Sequence, residues 1–82
     1  MKEIGERCSL SELKKGEKGK VLKIAIENKD IRKRLIEMGM VQGTEIKVKK
    51  ITPLGDPINI QLRGYVLAVR KSDLSQIRVE VI

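Results

Sequence analysis

The sequence predicts one mainly β domain with about five short strands, one short α-helix and one or two helical turns. A chain of 82 residues leaves room for a single domain. Several of its segments alternate apolar and polar residues with the period of two that a half-buried strand requires. Hydrophobic residues make up 40% of the chain, and Tyr65 is its only aromatic residue. The core is therefore expected to consist of Ile, Leu and Val.

The N-terminal part of the chain is predicted to be a flexible tail, residues 1–8, followed by a folded domain over residues 9–82. The first eight residues are mostly polar and charged. After them, Ser9 and Glu12 have the spacing of a capping box, in which each side chain accepts from the backbone amide of the other residue. Gly16 suits the end of a short helical turn.

A strand and then a helix are predicted for the next part of the chain. β-forming residues favour a strand over residues 19–27. Asn28 supplies a helix N-cap, after which the apolar residues change to helical spacing. Gly39 ends the helix, because glycine adopts a left-handed conformation at little cost. The predicted core-facing stripe of this helix is Ile31, Leu35 and Met38.

The second half of the chain returns to the pattern of strands. Alternation predicts strands over residues 44–51, 58–63, 65–69 and 77–81. The prolines of segment 53–57 predict a stiff turn, and Ser72 is expected to cap one helical turn. Short antiparallel strands of this number usually close into a barrel, which removes exposed edges. We therefore predict a small SH3-like barrel in which the last strand lies beside an early one.

Three segments resemble those of the FeoA family in order and spacing. They are Leu-x-x-Leu-x-x-Gly-x-x-Gly at residues 10–19, Arg-Leu-x-x-Met-Gly-Met-x-x-Gly at residues 34–43, and Pro-Leu-Gly-Asp-Pro at residues 53–57, followed by Gly-Tyr at 64–65. The resemblance implies an SH3-like fold and a supporting role in bacterial ferrous iron uptake, beside a FeoB-type membrane transporter with a cytosolic GTP-binding domain. A similar domain ends iron-dependent repressors, but no helix-turn-helix module precedes it here, so we expect the free-standing form.

The residue inventory does not favour an enzyme. Histidine is absent, which removes the usual general base near neutral pH and every nucleophile that depends on a histidine partner. The sequence also lacks the GxxxxGK[ST] loop that cradles nucleotide phosphates. We therefore expect a binding protein without catalytic residues.

No metal or cofactor site is predicted. Ferrous iron favours imidazole and carboxylate ligands, whereas this chain offers Cys8, methionines and scattered acids. Cys8 has no second cysteine at ligand spacing and falls in the predicted tail. Weak or indirect binding of a divalent transition metal is the remaining alternative for a family tied to iron.

Two segments are the predicted surface for a protein partner. Helical geometry places Ile36 roughly 140° from the core direction, beside Arg32, so it is expected to be exposed. The stiff turn could present Leu54 at a small cost in ordering entropy. Arg34, at the flank of the apolar face, is expected either to pair with an acid within the barrel, for example Asp56, or to contact an anionic partner, including the GTP of the transporter. The predicted contact residues are Arg32, Arg34, Ile36, Met40, Leu54, Gly55 and Asp56.

The net charge of +7 favours either an anionic partner or simple solubility. One cysteine and the lack of a signal peptide or membrane span predict a cytoplasmic protein, with the inner face of the membrane as one anionic surface within reach. Nucleic acid is the disfavoured alternative, because small barrels that bind single strands stack bases on several aromatic residues. A metal-responsive regulatory domain also stays open, as does the choice between monomer and weak dimer.

Overall fold

The fold is a six-stranded antiparallel sheet with two α-helices and one 3-10 helix, and the computed structural model describes residues 2–82. The strands are β1 (Arg7–Ser9), β2 (Lys18–Ile24), β3 (Glu45–Ile51), β4 (Ile58–Leu62), β5 (Tyr65–Val69) and β6 (Ile77–Val81). The helices are α1 (Lys29–Glu37) and α2 (Lys71–Leu74), and the 3-10 helix is Leu10–Glu12. The mainly β class is confirmed, with one helix of more than two turns and two shorter helical segments.

The strands follow the order β1-β6-β2-β3-β4-β5, and every neighbouring pair is antiparallel. β6 lies between β1 and β2, which confirms that the last strand lies beside an early one. Within residues 2–82 the edge strands β1 and β5 do not pair with each other, so the predicted barrel closure is wrong. Shifts of register between Val21 and Lys23, and between Val48 and Lys50, bend the sheet around its core.

The sixth strand, β1, lies in the segment that was predicted to be a flexible tail. Arg7, Cys8 and Ser9 pair with β6, and Cys8 is only 4% exposed. The prediction of a tail over residues 1–8 is therefore wrong for Arg7 and Cys8, and Met1 lies outside the described residues. A three-residue strand with one apolar position carries too little alternation to be found in a sequence.

The 3-10 helix after β1 begins as predicted. The backbone N–H of Ser9 donates to the Glu12 carboxylate at 2.7 Å, which is one half of a capping box. This hydrogen bond lowers the pKa of Glu12, because it stabilises the charged carboxylate.

Helix α1 has the predicted boundaries. The Asn28 side chain accepts hydrogen bonds from the backbone N–H groups of Asp30 and Ile31, and Gly39 follows the helix with a φ of +98°. The expected core stripe is only partly right. Leu35 is buried and Ile31 packs against the core, whereas Met38 is 36% exposed at the C-cap.

The core is aliphatic, as predicted, and it forms one cluster. Its fully buried side chains come from β2, β3, β4 and β6, together with the 3-10 helix, α2 and the loops. The largest are Leu10, Leu13, Ile26, Met40, Ile46, Ile58, Ile60, Leu62, Leu74 and Ile77. β5 contributes Val69, which is 7% exposed, and the half-buried Leu67. The sheet is therefore packed least tightly at its β5 edge.

Helix α2 forms at the predicted place with a different cap. Arg70, not Ser72, is the N-cap residue, and its side chain makes no capping hydrogen bond. The Asp56 carboxylate instead accepts from the backbone N–H of Lys71 at 2.9 Å. Within residues 2–82, no helix is both long enough and apolar enough to cross a membrane.

Candidate protein-binding site

Helix α1 places one predicted contact residue at the surface. Ile36 is 44% exposed, in agreement with the helical spacing. Arg34 is exposed as well, and Arg32 is half-buried. The helix therefore presents an apolar side chain together with positive charge, a combination that suits an amphipathic protein partner.

Met40 does not belong to this surface. Its side chain is 0% exposed, so the prediction that Met40 contacts a partner is wrong. The backbone N–H of Met40 donates to the Leu35 carbonyl at 3.0 Å, which turns the chain back toward the sheet after Gly39. Met40 therefore belongs to the core cluster, whereas Met38 does not.

The turn over residues 53–57 presents the most exposed large apolar side chain among residues 2–82. Leu54 is 94% exposed. The Gly55 N–H donates to the Thr52 carbonyl at 2.7 Å, and Gly55 has a φ of +82°. The hydrogen bond from Lys71 to Asp56 fastens the turn to the start of α2. The turn therefore holds Leu54 away from the sheet at a fixed position.

The structure does not bring Arg34 and Asp56 together. Within residues 2–82 neither forms an ion pair, so the first alternative for Arg34, pairing with Asp56, is not found, and contact with an anionic partner stays a prediction. Instead the two side chains line separate depressions at the β5 edge. Arg34 belongs to a depression of about 300 Å³ between α1 and β5, and Asp56 to one of about 390 Å³ beside the turn. Ala68 and Arg70 line both depressions.

A contact between Arg63 and Gly39 fastens the β4–β5 hairpin to the end of α1. The Arg63 Nε donates to the Gly39 carbonyl at 3.3 Å. A Cβ atom on Gly39 would lie 2.6 Å from the Arg63 Cδ, so glycine is required both for this approach and for its positive φ. The end of α1 and the β4–β5 hairpin are thereby held together beside the β5 edge.

The β5 edge was not among the predicted site residues. Tyr65 is 38% exposed and Val66 is 51% exposed, and Ala68 is exposed as well. Uncharged residues between Arg63 and Arg70 are the sequence feature that marks this strand. That feature becomes informative only with the strand order, which shows β5 to be an edge.

The surface offers little to a metal ion. No group of three or more Cys, Asp or Glu side chains could hold a metal within residues 2–82. Cys8 is buried, and burial raises the pKa of its thiol, so the thiolate that a metal would need is disfavoured.

An open, bent antiparallel sheet with short helices is an SH3-like architecture. The chain belongs to the FeoA domain family, which matches residues 8–81. The solution structure of FeoA from Chlorobium tepidum is similar, with a TM-score of 0.85 and 38% identity, over 90% of this chain and 70% of that one. The FeoA–zinc complex from Stenotrophomonas maltophilia, described as a prokaryotic SH3 domain protein, has a TM-score of 0.77 and 29% identity, over 88% of each chain.

A relative in Porphyromonas gingivalis links this domain to a transporter. That protein is a fusion of Fe(2+) transport protein A with the Fe(2+) transporter FeoB, and it is 36% identical to this chain over 74 residues. The match covers 89% of this chain and 8% of the fusion protein. The family is therefore one of ferrous iron transport systems, as the sequence segments predict.

Proposed function

We propose that this chain is a non-catalytic accessory protein of bacterial ferrous iron uptake, which binds the cytosolic GTP-binding region of a FeoB-type transporter in the cytoplasm. The observation that carries the proposal is the fusion of a similar domain to FeoB in one polypeptide. Fusion keeps two partners at a high effective concentration, which benefits domains that act in contact. The absence of histidine from the sequence supports a binding role.

The proposed contact surface consists of the exposed side of α1 and the turn over residues 53–57. Ile36 and Leu54 are its apolar anchors, and Arg32, one turn before Ile36 on α1, supplies positive charge beside Ile36. Apolar anchors that become buried supply most of the affinity of a protein interface, while neighbouring charges act on orientation and association rate.

A binding titration with matched variants tests the surface. The purified cytosolic GTP-binding region of the cognate FeoB-type transporter is titrated into the chain by calorimetry. Ile36→Ser and Leu54→Ser are each expected to weaken binding at least tenfold, because truncation of an anchor typically removes more than about 1.4 kcal/mol. The matched control is Ile4→Ser, because Ile4 is 84% exposed and lies outside this surface.

Three results decide between the alternatives. Selective loss of affinity in the Ile36 and Leu54 variants supports the surface. Equal binding by all variants would move the contact elsewhere on the chain. No binding by the wild-type chain at the highest soluble concentration would overturn the proposed function itself.

A band of lysines supports a further part of the proposal, namely that the protein acts at the inner face of the membrane. Eight lysines and two glutamates lie in β2, in β3 and in the turn before β2, residues 14–17. These segments together carry a net charge of +6, out of +7 for the whole chain. Lys18 lies directly opposite Lys47 in the sheet, a like-charged pair that an anionic surface would stabilise. The band is Lys14, Lys15, Lys18, Lys20, Lys23, Lys47, Lys49 and Lys50.

Anionic lipid is the ligand class that this band fits. Each lysine near an anionic leaflet contributes about 1 kcal/mol, and lysine interacts as a point charge without the fixed geometry of arginine. Nucleic acid fits less well, because Tyr65 is the only aromatic residue on which a base could stack.

Vesicle flotation tests the membrane contact. Binding to vesicles that contain anionic phospholipid, but not to neutral phosphatidylcholine vesicles, is expected, and added salt should weaken it. The double variant Lys18→Gln, Lys47→Gln should reduce binding more than Lys29→Gln, Lys33→Gln, which removes the same charge from α1. Equal partition to both kinds of vesicle would overturn this part of the proposal.

A further inference from the structure

Strand β5 is an edge strand without the features that normally protect an edge. It runs from Tyr65 to Val69 as Tyr-Val-Leu-Ala-Val, with no charged residue and no proline. Within residues 2–82 its only neighbour is β4. Natural sheets protect such edges with charges, proline, bulges or very short strands, because unpaired backbone groups attract another chain.

The hairpin geometry shows which backbone groups of β5 face outward. Arg63 and Gly64 form a two-residue turn with φ of 48° and 86°, the signs of a type I′ hairpin. The closing pair, Leu62 and Tyr65, is then a hydrogen-bonded pair, and bonded and non-bonded pairs alternate from there. The N–H and C=O groups of Val66 and Ala68 therefore point away from β4, toward the free edge.

The two depressions described above lie at the C-terminal end of this edge and share Ala68 and Arg70. One is lined by Ile31, Arg34 and Leu35 of α1, and the other by Asp56 and Pro57 of the turn. Side chains of an extended strand point alternately to opposite sides. A strand added along β5 would thus place neighbouring side chains beside Ala68 and Arg70, where both depressions lie, and the small Ala68 side chain leaves room for them.

The charges around the edge indicate the chemistry of the added strand. Arg63 and Arg70 stand at the two ends of β5, and Arg34 lines the depression beside α1. None of the three forms an ion pair within residues 2–82. Asp73 also lines that depression, and the Asp56 carboxylate accepts from Lys71. Unpaired arginines favour a strand with acidic side chains near its ends.

We propose that the free edge of β5 is a strand-addition site for an extended segment of the transporter's cytosolic region, with apolar residues at alternate positions and acidic residues near its ends. This inference rests on the proposed function and specifies how the contact is made. Main-chain hydrogen bonds to Val66 and Ala68 supply affinity, and the two depressions supply specificity, as in other domains that bind peptides by strand addition.

A second copy of the chain is a poorer occupant of the same edge. Antiparallel pairing of two β5 strands about a twofold axis brings Arg63 of each copy toward Arg70 and Lys71 of the other. Like charges across paired strands destabilise the pairing. The arginines that attract an acidic segment therefore oppose self-association at this edge.

Hydrogen exchange and a proline substitution test the site together. The ¹⁵N-labelled chain is mixed with the cytosolic GTP-binding region of the FeoB-type transporter, and then with overlapping synthetic peptides from that region. The amides of Val66 and Ala68 are expected to exchange at least tenfold more slowly in the complex.

Ala68→Pro removes one outward N–H but no hydrogen bond to β4, a position where edge strands tolerate proline. It should weaken binding at least tenfold, whereas the control Ala68→Thr, which keeps the N–H, should bind more tightly than Ala68→Pro.

Each outcome of the test has a distinct meaning. Binding without protection of Val66 and Ala68, together with normal binding by Ala68→Pro, would overturn the strand-addition site and leave the proposed function standing. No binding by the wild-type chain would overturn both. Protection that rises with the concentration of the chain alone would assign the edge to self-association and overturn the proposed occupant. If Ala68→Pro does not fold, Val66→Lys places a charge on the same edge without altering the ladder and replaces it.

Discussion

The two edges of the sheet differ in length, charge and burial, although each edge strand has one neighbour within residues 2–82. β1 has three residues: Arg7 lies 3.8 Å from the Glu80 carboxylate, Cys8 is buried, and Ser9 starts the 3-10 helix. β5 has five uncharged residues, of which Val66 is 51% exposed.

This difference separates a strand that serves stability from a strand that is free to bind. A short strand with a charged residue and a helix directly after it offers little to another chain, so β1 is a protected edge. β5 is long enough to pair with another strand, and Val69, which is 7% exposed, is its only buried side chain. We therefore expect substitutions near β1 to change stability, and substitutions at the outward positions of β5 to change binding.

The largest expected effect is on the β1 side, at Leu10. Its side chain is 0% exposed in the 3-10 helix directly after β1. Leu10→Ala should lower the free energy of unfolding by about 2–5 kcal/mol, because it removes buried methyl groups and leaves a cavity. Urea unfolding followed by circular dichroism measures this change. Ile4→Ala, at an 84% exposed position, should change stability by less than about 0.5 kcal/mol. Equal effects of the two variants would contradict the assignment of Leu10 to the core.

A smaller loss of stability is expected for Cys8→Ser within β1. The substitution places a hydroxyl group where the thiol is 4% exposed, and a buried hydroxyl without a hydrogen bond costs about 1–3 kcal/mol. Cys8→Ala is the matched control, since it removes the sulfur and adds no polar atom. Chemical denaturation should rank Cys8→Ser below Cys8→Ala in stability. If Cys8→Ala is instead the less stable variant, the Cys8 side chain reaches solvent, as it would in a flexible tail.

The two edges also show which structural features can be predicted from the sequence and which cannot. Helix α1 is predictable because Asn28 and Gly39 set its ends through local backbone chemistry. β5 is predictable as a strand because three of its five residues, Tyr65, Val66 and Val69, are strong β-formers. Ile36 follows from helical periodicity, and its exposure is a local property. These features depend on residues close together in the chain.

The remaining features depend on contacts between distant residues. β1 exists because β6, seventy residues later, supplies the neighbour for Arg7 and Cys8. Met40 is buried because the chain turns back after Gly39, which no periodicity shows. Arg34 and Asp56 carry opposite charges, which suggests an ion pair from the sequence. In the structure the Asp56 carboxylate instead accepts a hydrogen bond from the backbone N–H of Lys71. The importance of Ala68 depends on strand order, so the binding edge is the part of the site least visible in sequence.

The Glu12 carboxylate should make the β1 side of the molecule sensitive to pH. The hydrogen bond from the Ser9 N–H holds the pKa of Glu12 below its ordinary value of 4.5. Because the folded-state pKa is the lower one, this contribution to stability is present above pH 4.5 and is lost as the pH falls through the folded-state pKa. The difference in unfolding free energy between the wild-type chain and Glu12→Gln should therefore shrink as the pH falls below 4.5. Glu27→Gln, which removes a carboxylate without a hydrogen bond or ion pair within residues 2–82, is the control. A difference that stays constant with pH would show that this hydrogen bond is absent in solution.

The smallest expected change in stability, and the sharpest test of the comparison, is Val66→Lys in β5. Val66 is half exposed and its backbone N–H and C=O point away from β4, so the folded chain should lose less than about 0.5 kcal/mol. The new charge makes β5 resemble a protected edge, because a charged side chain at an outward position disfavours the pairing of a further strand. Binding of the transporter's cytosolic region, measured by calorimetry, should therefore weaken at least tenfold while the thermal midpoint stays close to that of the wild-type chain.

Arg7→Gln makes the opposite change at the other edge, since it removes a protecting charge from β1, and it should leave binding unchanged. If Val66→Lys binds normally, the free edge of β5 is not the contact. If Arg7→Gln weakens binding as much as Val66→Lys does, the two edges do not divide stability from binding.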